Sequence, residues 1–133
     1  MSFGSSEALQ RACFAALTAD GPLAALVGGV FDAAPRAGPP ETYVALGPER
    51  VSRTAHRGGV VAVHDFQVSV VTAAEGYAGA KRAAARVEAV LEAGVALDAG
   101  RLLGIALRGA RARRDRRDGT RRVDLTFRAR IEN

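Results

Sequence analysis

Apolar residues recur at helical spacing near the start of the chain: Leu9, Ala12, Cys13, Ala16 and Leu17 fall on one face. Ser5 or Ser6 stands where a hydroxyl can cap a helix start, and Asp20-Gly21-Pro22 ends the pattern. Pro22 can open a second short turn, PLAALVG, closed by Gly28. Short β signals follow at Val30-Phe31 and at TYVAL, residues 42–46. Between them, the three prolines of DAAPRAGPP exclude regular structure. Residues 47–59, GPERVSRTAHRGG, carry three Arg and three Gly without periodic apolar positions. They read as a long mobile loop, longer than most connections and therefore a candidate for function.

From Val60 to Thr72 the period changes to two, with Phe66, Val68 and Val70 on one side and Asp65, Gln67 and Ser69 on the other. A second helix is predicted from Ala78 to Ala93, its stripe made by Ala80, Ala83, Ala84, Val87, Val90 and Leu91, with Gly94 as its stop. The last strand has the strictest alternation in the chain. Val123, Leu125, Phe127, Ala129 and Ile131 face one way; Arg122, Asp124, Thr126, Arg128 and Arg130 face the other. Together these elements predict one α+β domain: a single mixed or mostly antiparallel sheet of four to five strands, two helices packed on one face, and a projecting basic hairpin.

That hairpin is RGARARRDRRDGTRR, residues 108–122, with eight arginines. Asp118-Gly119 between two β-patterned runs suggests a two-residue type I′ turn. The turn would set Arg113 against Asp124, Asp115 against Arg122, Ala112 against Leu125 and Ala110 against Phe127. Upstream, Leu103, Ile105 and Leu107 are odd-numbered whereas Ala110 and Ala112 are even. One extra residue near Arg108-Gly109 reconciles the two phases, and such a bulge would turn the tip outward as an arm.

Charge changes this picture more than composition does. Residues 1–100 hold eight basic and ten acidic side chains, and residues 101–133 hold eleven Arg and four acids. The basicity thus belongs to the C-terminal segment, which suits one face meeting an anionic partner or copies pairing through opposite charge. Aromatics are only 5% of the chain and Trp is absent, so Ala, Val and Leu must build the core and neighbours are expected to help stabilise it. The N-terminus has no basic region followed by a long apolar run, so neither a signal peptide nor a membrane span is predicted.

Candidate chemistry is sparse. Cys13 lies on the apolar stripe and reads as a buried thiol. His64 and Asp65 point to opposite faces of a strand, a poor dyad, and His56 falls in the Arg-rich segment. Zinc-ligand spacing and a phosphate-binding glycine loop are both missing. Catalysis and cofactors are therefore not expected. Three readings of the arginine stretch remain open: a solvated, charge-paired sheet face, a protein interface, and a DNA-binding module using the hairpin as an arm. The tip has no apolar wedge or stacking aromatic, which counts against the last of these.

The run ALQRACFAALTADGPLAALVGG, then VFDAAPRAGPP and ETYVALG, resembles the start of the tail-completion, or tail terminator, proteins of siphophages, prophages and gene transfer agents. HDFQVSVVT, GYAGAKRAAARVEAVL and RRVDLTFRARIE continue the likeness over residues 8–132. The resemblance implies a structural protein of a virion or phage-like particle tail, assembled in the bacterial cytoplasm. Such proteins form a hexameric ring that ends the tail tube and joins it to the head connector, or stopper, while DNA passes through the hole. Its partners would be further copies of itself, the tube protein and the connector, with no membrane involved. A ring uses heterologous contacts, and Arg50, Arg53, Arg57, Arg111, Arg113, Arg114, Arg116, Arg117, Arg121 and Arg122 are the expected contact residues.

Overall fold

The computed structural model describes residues 3–56 and 58–133; Arg57 and the side chain of His56 lie outside the described residues. In chain order the elements are α1 (Gly4–Ala19), α2 (Gly21–Ala24), β1 (Val30–Phe31), β2 (Thr42–His56), β3 (Gly59–Thr72), α3 (Ala78–Glu92), β4 (Arg101–Arg114) and β5 (Arg121–Glu132). The strands make one sheet in the order β1-β2-β3-β5-β4. Only β1 and β2 are parallel, so the sheet is mixed.

The two-residue alternation of β3 and β5 decides which face is covered. Phe66, Val68 and Val70 pair with Phe127, Leu125 and Val123, and all six side chains are buried. Against them α1 sets Leu9, Cys13 and Leu17, α2 sets Leu23, and α3 sets Ala80, Ala83, Ala84, Val87 and Leu91. The alanines let α3 approach the sheet closely, which compensates for the scarcity of large side chains. Phe66 and Phe127 stack with ring centroids 5.6 Å apart at the centre of this layer. Asp20 caps α2 by accepting a hydrogen bond from the Leu23 N–H at 2.9 Å and ties it to α3 through Arg86 at 2.8 Å.

Several expectations need correction. Residues 47–56 are not a loop: β2 continues to His56 and pairs with β3 as far as His56–Gly59. Gly47-Pro48 interrupts the register between Leu46 and Glu49, and the side chains from Ser52 to Ala55 are exposed on both faces. No alternation is left to read there, and pairing with β3 holds the strand instead. Ser5 and Ser6 are not caps either. The helix begins at Gly4, which places both serines inside its first turn, and both are buried.

In the arginine stretch the strand faces are as expected but the register is not. Arg113 pairs with Arg122, Arg111 with Asp124, Ala112 with Val123 and Ala110 with Leu125. The connection is longer than a two-residue turn. The Asp115 N–H donates to Thr120 O at 2.7 Å and the Gly119 N–H to Asp115 O at 2.8 Å. A type I′ turn needs positive φ at both central residues; Gly119 has φ +76° and Asp118 does not have positive φ. The slip is two residues, which preserves the faces. The bulge at Arg108 is present, and a second one at Leu103 takes that side chain out of the inward stripe and leaves it 43% exposed. The stem does not project, because at its tip end Arg121 pairs with Thr72 of β3 as well as with Arg114 of β4.

Candidate functional site

The sheet face opposite the helices is uncovered, and it collects the charge. Directly across it run Arg50 (β2), Asp65 (β3) and Arg128 (β5). Four residues along β5, Ser69, Asp124 and Arg111 form a second row. Arg113, Arg122 and Arg130 stand on the same face by the parity of β5. The two carboxylates are the hubs. Asp65 accepts from Arg128 at 2.7 Å and 3.2 Å, and the charges of Arg50 and Arg108 reach it as well. Asp124 accepts from Ser69 at 2.6 Å, Arg113 at 3.1 Å and Arg122 at 3.4 Å.

These contacts set the acidities. The Arg128 hydrogen bond is the main reason the Asp65 carboxyl lies below the usual carboxylate range; burial opposes it, and the charges of Arg128, Arg108 and Arg50 add to the lowering. Burial pushes the Asp124 carboxyl up, but the Ser69 hydrogen bond and the Arg122 and Arg113 charges together outweigh it, so it too lies low. A carboxyl with a lowered folded pKa contributes stability that is complete above its unfolded value and disappears as pH falls through the folded one. Stability should therefore hold steady down to about pH 4 and then fall. Thermal melts of Asp65→Asn and Asp124→Asn chains should show a shallower acid fall than wild type; parallel curves would contradict this assignment.

The candidate arginines separate into groups. Arg50, Arg111, Arg113 and Arg122 come together on the open face. Arg53 lies opposite Ala62, on the parity of the covered face. Arg114 and Arg121 face each other on that same side. The Arg121 guanidinium donates to Ala74 O at 3.2 Å and lies 5.6 Å from the Tyr77 ring centre. Arg116 and Arg117 occupy the β4–β5 connection, where the Arg117 N–H donates to the Asp115 carboxylate. The sequence reading missed Arg108, Arg128, Arg130, Asp65 and Asp124 as members of the cluster. Their shared parity with Arg122 along β5 and its neighbours was the available signal. Two shallow depressions mark the face. One, of about 490 Å³, is lined by Gln67, Gly109, Ala110, Arg111, Arg113, Asp124 and Thr126. The other, of about 460 Å³, lies towards the far end of the sheet, with Ser52, Val63, Leu103, Arg128 and Arg130 in its wall.

A second polar group lies on the covered side. His64 is fully buried; its Nε2 shares a 3.1 Å hydrogen bond with the Ser5 hydroxyl, and its Nδ1 lies 2.9 Å from the Glu49 carboxylate. The Ser6 hydroxyl donates to the same carboxylate. Burial raises the Glu49 pKa, but the bonds from His64 and Ser6 and the His64 charge hold it below the usual range overall. The chain Ser–His–Glu has the order of a nucleophilic relay, yet Ser5 has no exposed surface. The cleft beside Glu49, lined by Leu9, Cys13, Leu46 and Phe66 among others, holds only about 30 Å³, room for about one water. The geometry is that of a pin joining the start of α1 to the bulged β2 and to β3.

Comparison with known proteins adds family context to this geometry. The family model of the tail completion protein gp17 matches residues 11–132. A chain in the solved structure "Virion of native gene transfer agent (GTA) particle" is 48% identical, with a TM-score of 0.90, over 99% of this chain and 100% of that one. No curated protein sequence matches significantly.

Proposed function

From the premise that this chain belongs to the gp17 tail completion family, we propose that it is a ring subunit that ends the tail tube of a phage-like particle and joins the tube to the head connector, with DNA passing through the hole. A structural role in the tail is what the family and the full-length likeness to a virion chain support. The observation that carries the finer reading is the division of charge between layers. Residues 1–41 and 73–100, the helices and their loops, hold five basic and eight acidic side chains; residues 42–72 and 101–133, the long strands and their connections, hold 14 and six. Opposite charges on opposite sides of one subunit suit head-to-tail contacts, which close into a ring when the rotation between copies is right. The hexamer, the tube protein and the connector are part of this proposal, suggested by the resemblance to tail terminator proteins.

The DNA-binding arm is the weaker reading. Its stem stays within the sheet, and Arg113, Arg121 and Arg122 are engaged by groups of their own chain. Averaged electron images of the head-proximal end of isolated tails test the ring. Sixfold density around a hole, decorated by antibody to this chain, is the expected result. Antibody decoration along the tube shaft or on the head shell would refute it.

A further inference from the structure

The geometry points to the partner of the open sheet face: it is the outer face of α1 in the next copy of this chain. The inference rests on the ring reading and specifies which surfaces close the ring.

The open face is cationic and carries no helix, so its occupant must supply negative charge and something to fill its depressions. The outer face of α1 offers both. Phe3, Glu7 and Phe14 lie on one helical stripe at spacings of four and seven residues. Phe3 is 69% exposed and Phe14 37%, in a chain with only five phenylalanines. Large aromatics are usually buried, so two on one outward stripe signal a contact surface. Beside them Glu7, Gln10, Arg11, Phe14 and Asp32 line a hollow of about 250 Å³. Arg11 pairs with both Glu7 and Asp98, so Glu7, Asp32 and Asp98 leave the patch net acidic, and the Glu7 side chain is 84% exposed. This stripe points away from the sheet because Leu9, Cys13 and Leu17 occupy the inward side of the same helix.

The two surfaces match in chemistry. On the open face, Gly109 and Ala110 leave space in the 490 Å³ depression that Arg111 and Arg113 border. An aromatic ring entering there meets guanidinium groups at its edge or face, a favourable pairing when desolvated. Glu7 and Asp32 bring carboxylates to arginines that outnumber the acids on their own face. Because the surfaces lie on opposite sides of the subunit, the contact is heterologous and passes from copy to copy. DNA or an acidic partner protein on the open face would leave the α1 stripe without a role.

Cross-linking in assembled particles tests this. Glu7→Cys and Arg111→Cys are introduced together, and the particles are treated with a short bismaleimide. The native Cys13 does not interfere: it is buried, and burial pushes its thiol up to about 12. The expected result is a ladder of linked copies, with each single-cysteine chain remaining monomeric. If averaged electron images of the same particles show the ring and the cysteine pair does not link, the interface is overturned while the ring survives. If the images show no ring, the ring reading fails and takes the interface with it. Charge reversal gives an independent measure that does not depend on cysteine geometry. Glu7→Arg and Arg111→Glu should each lower incorporation into particles about tenfold, and the two together should restore much of it. Loss without restoration overturns the pairing.

Discussion

Replacing His64 with alanine will lower the stability of the fold by about 3–5 kcal/mol. The side chain has no exposed surface, so its removal leaves a cavity that the surrounding backbone can only partly close. It also removes one hydrogen bond from the fully buried Ser5 hydroxyl and one from the Glu49 carboxylate. Each hydrogen bond lost inside the fold costs about 0.5–1.5 kcal/mol, beyond the lost packing. The loss falls on three elements at once, because the pin connects α1, β2 and β3. Urea unfolding measures it. Ser52→Ala, at an exposed position on the neighbouring strand, should change stability by no more than ~0.5 kcal/mol. A loss below about 1 kcal/mol for His64→Ala would mean that the pin contributes little.

Parity along β3 carried a hint of this residue. His64 shares the even numbering of Phe66, Val68 and Val70, which places it on the covered face. Its partners could not be read in the same way, since Ser5 and Glu49 lie 59 and 15 residues away, and Glu49 follows a bulge that breaks the local period. The same contrast runs through the fold. The helices α1 and α3 and the strand β5 were legible because one side of each is buried and the other is not, so period reported structure. The second half of β2 was not legible, because its residues are exposed on both faces and depend on β3 for their conformation. In the arginine stretch, alternation fixed the faces of β4 and β5 correctly, whereas the turn dipeptide suggested a register two residues away from the real one. Asp118-Gly119 lies within a longer connection whose hydrogen bonds close at Asp115 and Thr120. Arginines that are adjacent in sequence are therefore divided between two faces and a loop, and the cluster that matters includes Arg50 and Arg128 from distant parts of the chain.

The largest effect expected of any change is on the particle. On the proposed function, the ring stops tube growth and presents the joining surface at one position of the particle. Its loss should therefore separate two assembly lines without blocking either. On that proposal heads would still fill and tube subunits would still polymerise, because the ring acts only at the end of the tube. The most direct measurement is electron microscopy of lysates from producing cells in which the gene is deleted, with tube lengths and head–tail joining scored particle by particle. The account predicts heads without tails and free tubes whose lengths spread well beyond the wild-type value, with both defects reversed when the wild-type chain is supplied in trans. Joined particles with tails of normal, uniform length in the deletion strain would contradict it.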